Sequence, residues 1–219
     1  MLVIHRADLL LPGADREPVP GGAVLVEGRT VAAVGPYEKL AAANPGVRVR
    51  RWPGVLTPGL RNPYGPELLE HAYHPDPREA DELGTEPLTG EALAALEMPE
   101  ARWGASARRG VQRLLAHGTV AVAGELSRDA VRDAVTRTGL RIEHRYGPPP
   151  GPPSLDPFAG DRPAEEVFMP PLTEGGAADF AVFEIPLSAE TPPYKTLTTY
   201  GAKTCTATSL SGRLLHRRR

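Results

Sequence analysis

The sequence predicts an α/β protein with mixed β-structure, and three observations carry that reading. Residues 2–10 and 47–52 alternate at the two-residue period of a half-buried strand, and the chain returns to strand-like runs at Phe180–Phe183 and Lys203–Leu210. Residues 101–144 instead read helix, strand, helix, strand, the order of βα repeats. Between that stretch and the C-terminal strands lies Pro148-Pro149-Pro150-Gly151-Pro152-Pro153. Its locked φ angles and missing backbone donors fit a linker or extended loop.

The elements follow in chain order. Residues 2–10, rich in Leu, Val and Ile, read as a strand. After a loop from Pro18 to Gly22, Ala23–Glu27 and Thr30–Val34 flank Gly28-Arg29 and predict a hairpin, with Gly28 supplying a positive φ. Pro36 to Asn44 predicts one or two helical turns. Val47–Trp52 alternates apolar and basic residues and reads as a strand, with Gly54–Leu60 as the next. Residues 61–100 hold many acids and prolines and few aliphatics. They predict a long loop with a short helix near Thr89–Leu96. Ala101–His117 is the clearest helix: Trp103, Ala107, Val111, Leu114 and Leu115 share one face, Arg108, Arg109 and Arg113 the other. Gly118 stops it, and Thr119–Ala123 is an apolar strand suited to a parallel sheet covered on both faces. Ser127 is placed to cap a second helix, Arg128–Thr138, which ends at Gly139. Leu140–His144 reads as a further strand. After the prolines, Phe180–Phe183, Lys203–Leu210 and Leu214–His216 read as strands, the last two joined by a turn at Ser211-Gly212-Arg213.

Composition narrows the function. In 219 residues, 41% are hydrophobic and 24% charged, ordinary values for a globular chain with room for one large domain or two small ones. A net charge of −2 gives no sign of a nucleic-acid or anionic-membrane partner. The basic tail His216–Arg219 reads as a solvated end. A single cysteine, Cys205, excludes an intramolecular disulfide framework and fits a reducing cytoplasm, with a buried structural thiol. Charge interrupts the first eight residues too early for a signal peptide, and no apolar run approaches the roughly 20 residues of a membrane span. Walker, dinucleotide and Gly-x-Ser-x-Gly motifs are missing, and Ser106 and Ser209 have no readable partner.

Three segments together resemble one family. Val24-Leu25-Val26-Glu27-Gly28-Arg29-Thr30-Val31-Ala32-Ala33-Val34-Gly35 leads to Thr57-Pro58-Gly59-Leu60. Ala107–Val122 follows, then Gly175–Phe183 with the closing Ser211-Gly212-Arg213-Leu214-Leu215. In this order they resemble amidohydrolases of the imidazolonepropionase and cytosine deaminase–chlorohydrolase type. The resemblance implies a composite β-sandwich from residues 1–56 and 172–217, a truncated, partial barrel-like βα unit over 57–147, and a Pro-rich linker over 148–171. A closed barrel needs eight βα units in about 250 residues. Here there is room for about three.

The resemblance also implies a metal site that these residues do not supply. In the family, the Thr-Pro-Gly-Leu and Asn-Pro run leads into a His-x-His pair; the corresponding positions here are Tyr64 and Pro66. The strands that carry the later histidines and aspartate have no counterpart. Without the ion there is no metal-activated water. The expectation is a non-catalytic binding or assembly protein with no cofactor, partnered by itself as a homo-oligomer or by an active enzyme. The alternative is a hydrolase of carbon–nitrogen bonds in a cyclic amidine or aminopurine-like substrate, with zinc or iron on a rebuilt site. Its ligands would be His71 and His74, three apart as on one helix face, with Asp76 or Glu70 as the third. A third reading places a small polar metabolite against Arg61, Tyr64 and His144. At the strand mouth, Arg61, Tyr64 and Glu67 are expected to form a hydrogen-bonded plug. His117 reads as a helix-terminal residue, and His5 matches no motif.

Overall fold

The computed structural model describes residues 2–218 and divides into two compact units. One holds the chain up to Arg61, Leu115–Val120 and everything from Asp156 onward; the other holds Asn62–Leu114 and Ala121–Leu155.

The first unit is built on β1 (Leu2–Leu10), β2 (Val19–Pro20), β3 (Gly22–Glu27), β4 (Thr30–Pro36) and β5 (Arg48–Pro58), with α1 (Tyr37–Ala43) between β4 and β5. The C-terminal strands β9 (Phe180–Phe183), β10 (Cys205–Leu210) and β11 (Arg213–Arg217) join the same sheet. The order is β11-β10-β9-β5-β1-β3-β4, with β2 on β1. Strands from both ends of the chain therefore meet in one continuous hydrogen-bonded sheet. The reason is β5, which pairs parallel with β1 and, through Val55–Pro58, antiparallel with β9. One long strand thus fuses the N-terminal and C-terminal ladders.

The expected break at Gly54 is a bend inside β5. Gly54 takes φ +80°, and its N–H donates to Asp8 Oδ2 at 2.7 Å, where the β1–β5 register shifts between Ala7 and Leu9. Alternation sorts the apolar residues onto two faces. Leu9, Val55 and Phe183 pack with Phe158, Phe168 and Leu197, while Leu10, Leu56 and Val182 pack with Val24, Phe180 and Ala207. Segment 156–171, expected as linker, thus supplies part of the core, and α7 (Ala164–Val167) lies within it. Residues 193–200, which carried no prediction, form α8. The expected solvated tail is also corrected: His216 and Arg217 belong to β11, and Arg219 lies outside the described residues.

A three-stranded sheet runs in the order β6 (Leu60–Asn62), β7 (Thr119–Ala123), β8 (Arg141–Glu143). Gly59 is what allows the start of β7 to lie close: a Cβ there would sit 2.3 Å from Val120 Cγ2. The Leu60 N–H donates to the Gly118 carbonyl at 2.9 Å. This gives the Thr-Pro-Gly-Leu run a packing reason, because any side chain at the third position would push Val120 away.

In the second unit, α5 (Glu100–Leu115) buries Trp103, Ala107, Val111 and Leu114, the face its spacing predicted. Residues 61–100 hold the expected short helix, α4 (Gly90–Ala94), and also α2 (Gly65–Leu69), a 3-10 turn (Pro77–Glu79) and α3 (Ala80–Leu83). Helix α6 (Asp129–Thr138) ends on Gly139 in the left-handed conformation, φ 85°, as expected. Its N-terminus differs from expectation. Ser127 does not cap it; the Ser127 Oγ donates to Glu70 Oε2 at 3.0 Å. Among the described residues, no helix is long and apolar enough to cross a membrane.

Candidate functional site

The chemistry-bearing residues singled out in the sequence fall mostly in the second unit, around the exit of β6. Asn62 is fully buried; its Oδ1 accepts the Tyr64 N–H at 3.0 Å and its Nδ2 donates to the Ser154 carbonyl at 2.9 Å. Tyr64, 2% exposed, donates its hydroxyl to the Pro150 carbonyl at 2.5 Å, with the Gly151 carbonyl 3.2 Å away. Residues 150–154 are thereby tied onto the strand mouth. Pro66 is buried against Gly124, where a Cβ would come within 2.6 Å of its Cδ. Gly65 is as tightly placed, with the Ala123 carbonyl oxygen 2.9 Å from where its Cβ would be. The two positions at which the resemblance would put a His-x-His pair are therefore filled by side chains packed and bonded into the unit.

Of the residues expected to form a plug, Tyr64 and Glu67 are both bonded at the strand mouth. Glu67 receives both arms of Arg145, at 3.0 Å to each carboxylate oxygen, and Arg145 also donates to the Pro63 carbonyl at 2.7 Å. This is the two-pronged geometry that guanidinium and carboxylate favour. Arg145 carried no sequence signal, because its partner lies 78 positions away. His144 is exposed and meets the Tyr146 ring edge-on at 4.5 Å between centroids. Arg61 is half-buried and falls in the first unit.

The proposed metal trio is not brought together. His71 is exposed and His74 fully buried, and residues 71–74 are not helical, so the i, i+3 argument has no helix to act on. His74 Nε2 lies 2.8 Å from the Leu68 carbonyl, which can only accept, so this nitrogen carries the proton. Burial, then the cations Arg113 and Arg109, hold the His74 pKa below its ordinary value, partly offset by the Leu68 bond, which favours the charged ring. The ring is a neutral donor packed over Gly110, where a Cβ would fall 2.7 Å from Nε2. Asp76 caps the following 3-10 turn through the Arg78 N–H and pairs with Arg109 at 3.3 Å. Glu70 spends both oxygens on Ser127 and the Arg128 N–H. Among the described residues, no group of three or more His, Cys, Asp or Glu side chains could hold a metal ion. The zinc or iron implied by the resemblance does not fit these residues.

Beside them lies a network that the sequence did not signal. The Tyr73 hydroxyl, almost fully buried, donates to Glu79 Oε2 at 2.5 Å, while Arg102 donates to Glu79 Oε1 at 3.0 Å and to Tyr73 Oη at 3.2 Å. Burial and the Glu79 bond raise the Tyr73 pKa, and the Tyr73 bond holds Glu79 below its ordinary value. A phenol kept protonated beside an ionised acid is a structural donor, not a nucleophile. Ser106 has a similar part: its Oγ accepts the His74 N–H at 2.9 Å. An open cleft of about 720 Å³ adjoins this region, lined by Glu67, His71, Glu86, Thr89, Ser154 and Leu155 among others.

Residues 22–46 match the family model described as the imidazolonepropionase-like composite domain of bacteria. The matched segment contains the hairpin around Gly28, one of the segments that carried the resemblance. The matched residues cover β3, β4 and α1 of the large sheet. No curated protein matches the chain. Solved structures similar to it include A. niger ochratoxinase, at 22% identity over 65% of this chain and 31% of that one, TM-score 0.44. E. coli guanine deaminase matches at 15% identity over 68% and 38%, TM-score 0.45. Guanine deaminase from Bradyrhizobium japonicum matches at 20% identity over 66% and 34%, TM-score 0.40. The chain thus spans about a third of the length of these solved structures.

Proposed function

We propose that this is an amidohydrolase-like protein that works without a metal centre, as a binding or assembly protein. The observation that supports the reading is the filled strand mouth. Tyr64 and Pro66 stand where a His-x-His pair would, Tyr64 is bonded to the 150–151 carbonyls, and Pro66 is packed on Gly124. Among the described residues, no group of three or more His, Cys, Asp or Glu side chains is placed to take the pair's role. The cleft beside Glu67, His71 and Glu86 offers a place for a small polar ligand, with carboxylate, imidazole and hydroxyl groups at its rim and Leu68 and Leu155 at its wall.

Two measurements test this. Purified protein incubated with zinc or ferrous iron and then dialysed should retain far less than one ion per chain. Retention of one ion per chain overturns the metal-free reading. In thermal-shift assays against small polar metabolites, the expected result is stabilisation that His71→Ala removes, by the linkage of binding to folding. Hydrolysis of a cyclic amidine or aminopurine by the metal-free protein overturns the non-catalytic reading.

A further inference from the structure

The three-stranded sheet ends at β8, whose far side has no neighbouring strand among the described residues. The alternation of its backbone can be read from one bond. The Glu143 carbonyl accepts the Gly124 N–H at 3.0 Å, so Glu143 and, two residues earlier, Arg141 direct their backbone groups toward β7. The N–H and carbonyl of Ile142 therefore face the open edge. The Ile142 side chain is 40% exposed, and Tyr146, four residues on, is 95% exposed.

Exposed edges are usually guarded by charge, commonly of one sign. This edge reads Arg141-Ile142-Glu143, which is its own complement when reversed. In an antiparallel pair centred on Ile142, the two Ile142 residues exchange both backbone hydrogen bonds. Arg141 of each chain then stands opposite Glu143 of the other, at the closer-spaced pair position. We infer that β8 is a homodimerisation edge, at which two copies of this chain pair antiparallel about Ile142 and make two reciprocal Arg141–Glu143 ion pairs. The occupant is a second copy because the charge order of this edge is complementary to itself in the antiparallel direction. A three-residue strand is a small interface, so the dimer belongs to the weak, reversible class. The inference does not depend on the metal-free reading above.

Both charged side chains also have interactions within their own chain, so a charge exchange carries the test, and neither single change does so alone. Sedimentation of the wild-type chain should give a mass that climbs with concentration from 23.4 kDa toward twice that value and no further. Arg141→Glu and Glu143→Arg, each placing like charges opposite one another, should weaken the dimer by about tenfold or more. The double exchange R141E/E143R restores opposite signs and should restore the dimer. A wild-type chain that stays monomeric at every concentration overturns the inference. So do single variants that dimerise like wild type, or a folded double variant that does not recover. A readout free of substitutions is hydrogen exchange: the Ile142 amide should become protected as concentration rises, and exchange independent of concentration overturns the inference.

Discussion

Glu70 offers the sharpest test of how this unit is held. Its carboxylate is 5% exposed and accepts the Ser127 hydroxyl at 3.0 Å and the Arg128 N–H at 2.6 Å. Arg128 is the N-cap of α6, and its own side chain makes no cap bond, so a carboxylate 58 positions earlier serves the helix start. Hydrogen bonds to a charged group contribute about 1.5–3 kcal/mol each, and a carboxylate near a helix N-terminus about 0.3–1 kcal/mol more. Glu70→Gln keeps the shape and one acceptor but loses the charge. It should cost about 2 kcal/mol, which for a chain of this size lowers Tm by about 4–8 °C. Glu70→Ala also leaves a buried N–H unpaired and opens a small void, and should cost about 3–4 kcal/mol. Urea unfolding measures both, run with and without a chelator. The expected loss is the same in each, because the carboxylate acts on the helix and not on an ion. A Glu70→Gln variant within about 0.5 kcal/mol of wild type would refute the capping argument. A loss that vanishes on chelation would show that Glu70 acts as a ligand.

Further predictions rest on other contacts. His5 Nδ1 accepts the Trp52 indole N–H at 3.2 Å, and burial, then Arg50, push the His5 pKa down to about 4. The unfolded chain therefore binds a proton between about pH 6.5 and 4 that the folded chain does not, so stability falls as pH falls through that window, by about 3 kcal/mol from this residue. His5→Gln keeps an acceptor and should flatten that slope, read by urea midpoints across pH with Trp fluorescence; an unchanged slope would show that His5 is not its source. Gly54→Ala, at φ +80° with its Cβ 2.2 Å from the Phe183 carbonyl oxygen, should cost about 2–5 kcal/mol, against about 1 kcal/mol for Gly28→Ala, whose Cβ meets nothing within 4 Å. Equal costs in chemical denaturation would contradict the close approach of β5 and β9. Burial raises the Cys205 thiol to about 11, so a disulfide reagent at pH 8 should label it only at the rate of unfolding. Rapid labelling of native protein would count against its burial.

The sequence by itself determined the elements whose signals are local. The hairpin at Gly28 needs one positive-φ residue between two apolar runs, and the buried face of α5 needs only a 3.6-residue period. The stop at Gly139 is likewise a property of one residue in one conformation. That Tyr64 and Pro66 stand where the resemblance expects a histidine pair was visible by position alone.

Only the tertiary structure decided which partners these and the other polar residues take. Ser127 looked like a cap until Glu70, far away in the chain, took both its hydroxyl and the helix N-terminus. His71 and His74 looked like a pair until the backbone between them left the helix and buried one ring against the Leu68 carbonyl. Glu67 found Arg145, and residues 150–154 were tied to Tyr64 through the Pro150 carbonyl and to Asn62 through the Ser154 carbonyl. The length of β5 joined the N-terminal and C-terminal ladders into one sheet. Local periodicity fixes which residues form a helix or strand. Which polar groups meet depends on long-range strand register and on buried donors and acceptors finding partners, and no short stretch of sequence contains that information.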